Sequence, residues 1–310
     1  MSNLLASLRN AAGTMKVFER GMGVVQSNVA NATTPGYAKQ TQLLEPLRMN
    51  LDSGLPGGVR SSGTLDGRSE YAEATVRRRT ESFGHADERA QQLERLDPLY
   101  EIGKDSGLGA AMNRLFLSFS ALTVTPNDLS ARRVALDRAD ELARSFQSMA
   151  ASLGDATSAV DKSLLHQVDS INRVVAGIAE LNGEFRRDSR VQEDAGIQAK
   201  MNVLLEELSG LGNFTVLRAG DGSATVYLGG QTLLAVGERQ MPLSLDVTAV
   251  SDARILDQQG QDITGQVEGG RLRALLDVRN SVLPQKQSEL NRLAQSLADA
   301  VNGTLRSGVD

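Results

Sequence analysis

The sequence predicts a mainly α-helical protein with a small β-rich insert: an elongated multi-helix rod of long antiparallel, coiled-coil-like helices, headed by an N-terminal heptad helix. Three observations carry this. Leu4, Leu8, Ala11, Met15, Phe18, Met22, Val25, Val29 and Ala32 follow at alternating four- and three-residue steps, the seam spacing of a coiled coil. Residues 129–185 keep a helical period almost without pause, through Leu142, Phe146, Met149, Leu153, Ala156, Val160, Leu164, Gln167, Ile171, Val174, Ile178, Leu181 and Phe185. An unbroken helix of that length reaches roughly 85 Å. Aromatic residues make up only 4% of the chain, with no Trp, which favours helical packing of Leu, Ala, Val and Met over a thick globular core.

The first helix needs a partner, because a long isolated helix with a narrow apolar stripe is marginal in water. Its stop signal is Pro35, which lacks the N–H that would continue the ladder and pushes Thr34 out of the α region, followed by Gly36, which accepts positive φ. Residues 51–67 hold Gly54, Pro56, Gly57, Gly58, Gly63 and Gly67 and read as a hinge or a set of short extended turns. Ala90, Leu93 and Leu96 lead to Pro98. Leu108, Ala111, Met112, Leu115, Phe116, Phe119 and Leu122 then make a broad apolar helical face. Thr125-Pro126-Asn127-Asp128 breaks that helix, and Asn127 or Asp128 is placed to cap the next.

Between residues 214 and 264 the period changes. Two runs, 214–218 and 224–228, flank Gly220-Asp221-Gly222 as a hairpin, and 233–236, 243–250 and 254–256 add short strands. Helix returns from Gly269. Leu276, Leu283, Leu290 and Leu297 recur every seven residues, so this helix can lie along the long one, with Pro284 expected to kink or split it. The division that follows is 1–45 as an N-terminal axial segment, 46–210 as the first part of a helical rod domain, 211–266 as a β-rich insert domain and 267–310 as the return helix of the rod.

Composition narrows the function. A formal charge of −5 argues against nucleic-acid binding, and the short run Arg77-Arg78-Arg79 reads as a solvated helix face. There is no cysteine, hence no disulfide, thiolate metal site or Cys nucleophile. The N-terminus has no basic region followed by an unbroken apolar run, so no secretory signal is expected, and no stretch reaches membrane-spanning length. Gly57-Gly58-Val59-Arg60 lacks the Lys-Ser/Thr of a phosphate-binding loop. The two histidines, His85 and His166, lie in separate charged helical contexts, and acidic pairs such as Glu206-Glu207 have no pocket signature. No catalytic residue, cofactor or metal ligand is expected, and the chain does not read as an enzyme.

Residues 28–40 run Asn-Val-Ala-Asn-Ala-Thr-Thr-Pro-Gly-Tyr-Ala-Lys-Gln, directly behind the heptad helix. This block resembles the terminal motif of the flagellar rod, hook and hook-associated protein family, Asn-x-x-Asn-x-x-Thr-Pro-Gly-Tyr-x-Arg/Lys. A second block, residues 107–116 with Pro126 and residues 130–136 (Ser-Ala-Arg-Arg-Val-Ala-Leu), resembles the hook-associated protein 1 branch of that family, which carries a helical rod that rod and hook proteins lack. Residues 269–276 and 283–302 are similar to the same branch. The match loosens at residues 67–71, and residues 204–208 (Leu-Leu-Glu-Glu-Leu) have lost the Asp and Arg usual there.

The resemblance implies a structural subunit that joins the flagellar hook to the filament by axial helix packing, exported unfolded through the flagellar type III channel without a cleaved signal peptide. Its location would be the extracellular flagellum. The implied partners are further copies in an axial ring or tube, the hook protein, the second junction protein, and an export chaperone. Members normally continue into further β structure and a C-terminal helix that pairs with the N-terminal one, so the chain is expected to represent the N-terminal part of a full member and the chaperone to engage the remainder. The assembly interface falls on Leu4, Leu8, Met15, Phe18, Met22, Val25, Asn28, Asn31, Thr34, Pro35, Gly36 and Tyr37. The other readings are another axial rod or hook protein, and an unrelated secreted coiled-coil adhesin or translocator; neither nucleic acid nor membrane is an expected partner.

Overall fold

The computed structural model describes residues 2–49, 57–100, 107–187, 191, 194–247 and 252–307. Long packed helices dominate, with small antiparallel sheets between them: α1 (Ser2–Ala30), β1 (Gln40–Pro46), β2 (Val59–Asp66), α2 (Glu70–Leu96), α3 (Gly107–Val124), α4 (Leu129–Arg187), α5 (Ala195–Leu211), strands β3 to β8, α6 (Gly270–Asp277) and α7 (Leu283–Ser307). The chain forms two compact units, Met1–Thr80 with Arg173–Ser209 and Phe214–Met241, and Glu81–Asn172 with Gly210–Asn213 and Pro242–Asp310.

In the first unit, α1 packs on the β1–β2 hairpin. This hairpin corrects the expectation of a hinge or short extended turns over 51–67. Residues 59–66 form a full strand paired with residues 40–46, in register from Gln40 opposite Asp66 to Pro46 opposite Val59, with a bulge at Leu43/Leu44. The pairing was not legible because the middle of β2 is Ser-Ser-Gly-Thr, without apolar alternation, and its pairing partner lies about 20 residues away. Residues 50–56 of the expected loop lie outside the described residues.

The rest of this unit is the buried face of α4 (Val174, Val175, Ile178, Leu181, Phe185), that of α5 (Ala199, Met201, Leu205, Leu208), and a four-stranded meander. The meander runs in order β3 (Phe214–Arg218), β4 (Ala224–Leu228), β5 (Thr232–Val236) and β6 (Arg239–Gln240). The hairpin expected at Gly220-Asp221-Gly222 is there. Ala219 N–H bonds Ser223 O at 2.9 Å, Asp221 accepts from the Ser223 amide and hydroxyl, and Gly222 has φ 88°. Those two donors hold the Asp221 carboxyl below its ordinary pKa.

In the second unit, Ala111, Leu115 and Leu142 form a buried cluster against which Leu108, Met112, Phe119, Phe146 and Leu297 pack, joining α3, α4 and α7. Asp128 is the cap on α4, its carboxylate accepting the Ser130 amide at 2.8 Å. The expected kink at Pro284 is resolved without a break. Val278–Val282 is a single π-turn between α6 and α7, with Leu283 N–H reaching back to Val278 O. The extra residue realigns the ladder just where proline lacks a donor. Leu276, before that adjustment, and Leu283 and Leu290, after it, are all buried. Helix α2 starts at Glu70, some twenty residues earlier than Ala90. Its first half is too polar to show a period, yet Ser69 caps it and Glu70 and Glu73 complement its N-terminus. The strands β7 (Ser244–Asp246) and β8 (Arg254–Leu256) pair as a separate two-stranded sheet, and residues 248–250 of the strand expected at 243–250 lie outside the described residues.

Candidate assembly surface

Two different stripes run along α1. The heptad seam is exposed: Leu4 79%, Leu8 66%, Met15 75%, Phe18 63%, Met22 74% and Val25 62%. The stripe that packs on the hairpin is another one. Ala6, Asn10, Thr14, Val17, Gly21, Val24, Ser27, Asn28 and Asn31 are the half-buried positions, displaced from the seam by about 110° at roughly 100° per residue. These residues are small or polar because the strands come close. Gln42 Nε2 donates to Val17 O at 3.1 Å, and a Cβ on Gly21 would lie 2.6 Å from Gln42 Oε1. Gln40 and Gln42 were not singled out in the sequence. Their signal was this second stripe of small residues, spaced like the first but with little hydrophobicity to reveal it.

The motif residues turn the chain from α1 into β1. Asn28 behaves like a strand residue: its Nδ2 donates to Gln40 O at 2.8 Å, and its Oδ1 accepts both Gln40 N–H at 2.8 Å and the Tyr37 hydroxyl at 2.9 Å. Ser27 Oγ lies 3.4 Å from the same hydroxyl. Asn31 Nδ2 donates to Ser27 O at 3.0 Å, a second bond to the carbonyl that also accepts the Asn31 amide, and its Oδ1 accepts from Thr34 Oγ1 at 3.3 Å. Residues 34–37 then form a turn closed by Tyr37 N–H to Thr34 O at 3.2 Å, with Pro35 second and Gly36 third at φ 75°, the residue preferences of a type II turn. Gly36 is doubly constrained, because a Cβ there would lie 2.4 Å from Ala199 O and 2.7 Å from Val203 Cγ2 of α5.

Two residues outside the motif hold that turn. The Gly36 carbonyl accepts Arg68 Nη2 at 2.8 Å and Asn202 Nδ2 at 3.3 Å. Arg68 Nη1 also pairs with Glu73, and Arg218 Nη2 donates to Asn202 Oδ1 at 2.6 Å. Burial, then the neighbouring Arg77, pushes the Arg218 guanidinium below its ordinary pKa, with Asp66 acting the other way.

The seam thus divides into two groups. Leu4 to Val25 line an open apolar face, while Asn28, Asn31, Thr34, Gly36 and Tyr37 are joined in one hydrogen-bonded clasp and Pro35 stays exposed. Phe18, Met22, Val25 and Val29 with Thr41 and Leu44 border a groove of about 950 Å³ between α1 and β1. Among the described residues no helix is long and apolar enough to cross a membrane, and no three or more His, Cys, Asp or Glu side chains come together as a metal site. His85 lies 3.4 Å from Asp277, and His166 is exposed on α4.

Comparison with known proteins points the same way. Residues 93–310 match the family model described as the flagellar hook-associated protein FlgK helical domain. The flagellar hook-associated protein 1 of Salmonella typhimurium is 23% identical over 322 residues, covering all of this chain and 58% of that protein. Its counterpart in Bacillus subtilis is 24% identical over 221 residues, covering 68% of this chain and 44% of that one. The solved structure of the flagellar hook junction protein FlgK from Burkholderia pseudomallei superposes with a TM-score of 0.66 at 23% identity, over 74% of this chain and 43% of that one. The chain therefore spans about half the length of the curated relatives it matches.

Proposed function

This chain belongs to the flagellar hook-associated protein FlgK family, and from that premise we propose that it is a structural subunit of the bacterial flagellum, joining hook to filament, with α1 as its assembly element. The role is structural and not catalytic. The observation that carries this reading is the exposed α1 seam. A Leu, Met, Phe or Val side chain gains about 1.5–3 kcal/mol on full burial, so covering Leu4, Leu8, Met15, Phe18, Met22 and Val25 would release on the order of 10 kcal/mol before the costs of association. The clasp at residues 28–37 ties the helix to the hairpin by its second stripe, which leaves the seam free to meet other helices.

In this reading residues 1–45 are the axial segment, 46–210 and 267–310 the rod domain, and 211–266 the insert. The seam's partners are neighbouring subunits in an axial ring or tube, flanked by the hook protein and by the second junction protein. Export through the flagellar type III channel, aided by a chaperone, would deliver the chain to the extracellular flagellum. Phe18→Asp, placed at the chromosomal locus, tests it. The second unit should keep its helical melting transition while filament attachment is lost, because a charge is forced into the seam. Filaments of normal number and length would remove the basis for calling α1 the assembly element.

A further inference from the structure

We propose that Arg68 and Asn202 are positioning residues that latch the arm formed by α1, β1 and β2 onto α5 through the Gly36 carbonyl, and so set the direction in which the α1 seam is presented. This rests on the assembly reading above and adds two residues that lie outside the terminal motif.

The arm is built as one body: α1 packs on both strands, the strands pair along their length, and Asn28 ties helix to strand. It is connected in sequence to α2 through residues 67–69. Across space it meets α5 at the Gly36 turn, where both lone pairs of one carbonyl are taken by donors from different elements, Arg68 before α2 and Asn202 on α5. Neither donor is free to drift. The Arg68 guanidinium is held at its other end by Glu73, which Arg77 also approaches at 3.7 Å. The orientation of Asn202 is set by Arg218. A guanidinium can only donate, so Asn202 must turn its oxygen to Arg218 and its NH2 to Gly36. The Gly36 Cα lies close enough to Ala199 O that no side chain fits between them, which leaves the turn no slack.

The pivot is at one end of a long lever. Helix α1 has 29 residues, about 43 Å at 1.5 Å per residue, so a change of about 10° at the turn carries the far end roughly 7 Å. That exceeds the radius of a side-chain knob and would take the seam out of register with any partner helix.

The chain has no cysteine, so spin labels can be placed without background at Glu19→Cys on α1 and Lys200→Cys on α5, both exposed. The parent should give a single narrow distance. Arg68→Met with Asn202→Leu should replace it by a broad distribution while far-UV circular dichroism is retained. Arg68→Lys, which keeps one donor for Gly36 O, should recover part of the narrow peak, and Arg218→Met, which frees only the Asn202 amide, should broaden it less than the double variant. In cells the double variant should reduce filament number. A narrow distance retained in the double variant overturns the latch. A broad distance with filaments of wild-type number overturns its positioning role. Failure of the assembly reading itself has a separate signature, normal filaments in Phe18→Asp.

Discussion

Replacing Asn28 with Ala removes three hydrogen bonds at once, and the cost can be worked from what is left behind. Gln40 is a buried residue, so its N–H and C=O lose partners that water does not readily replace, whereas the Tyr37 hydroxyl is partly exposed and recovers one. At about 1–2 kcal/mol for each stranded backbone group, the junction between α1 and β1 should weaken by about 2–4 kcal/mol. This is a local opening, because the cores of both units lie elsewhere. Native-state hydrogen exchange reads it directly. Amides of β1 and β2 should exchange roughly 30- to 900-fold faster, the Boltzmann equivalent of that range, while those of Val174 to Phe185 should not change.

Asn28→Asp sharpens the test. It keeps the acceptor for the Gln40 amide but turns an oxygen towards Gln40 O, and only a protonated carboxyl can donate there. Its folded pKa should therefore sit above the unfolded value of about 3.9. The folded arm then binds the proton more tightly, so protection should be greatest at acid pH and fall as pH rises through the folded pKa. Exchange at β1 that is the same in parent and Asn28→Ala would refute the view that this one amide holds helix to strand.

Three further outcomes follow from particular sites. Leu153→Asp, at a position 1% exposed, should destabilise the second unit by several kcal/mol, since it buries an unpaired charge; an unchanged denaturant midpoint would contradict it. Glu81 is held above its ordinary pKa, first by burial and then by Glu268, so the folded state binds its proton more tightly than the unfolded chain does and stability falls as pH rises above the unfolded value. Glu81→Gln should accordingly raise the melting temperature at pH 7, with the gain disappearing below pH ~4, and a gain that is pH-independent would count against this cause. Asn182→Leu, at a fully buried amide bonded to Ala224 N–H, Ala224 O and Gly237 O, should cost about 3 kcal/mol or more, and a neutral effect in urea would show that those backbone groups find other partners.

The sequence alone determined whatever is written in local order. The heptad step of α1, the near-continuous period behind the 59-residue α4, the Pro-Gly turn at 35–36, the glycine turn of β3–β4 and the Asp128 cap all depend on residues within one or two turns of each other, where sterics and hydrogen-bond geometry act without help from the fold. The terminal motif was legible as a stop signal for the same reason.

What those residues do was decided by tertiary structure. Asn28, Asn172, Asn182 and Asn280 each give both ends of one side-chain amide to a single distant backbone residue, Gln40, Leu243, Ala224 and Ala253, at separations of 12, 71, 42 and 27 residues. An asparagine on a helix has no local pattern that says which strand it will dock, because the bond exists only once packing has excluded water from both groups. The same holds for the choice between the two stripes of α1. Hydrophobicity marks Leu4 to Val25 as the face to bury, yet within the chain it is the small, polar stripe that packs, since only Gly21, Asn28 and their neighbours let β1 come close enough to bond. The apolar face and its need of a partner helix were legible in the sequence; the second stripe that docks the hairpin was not.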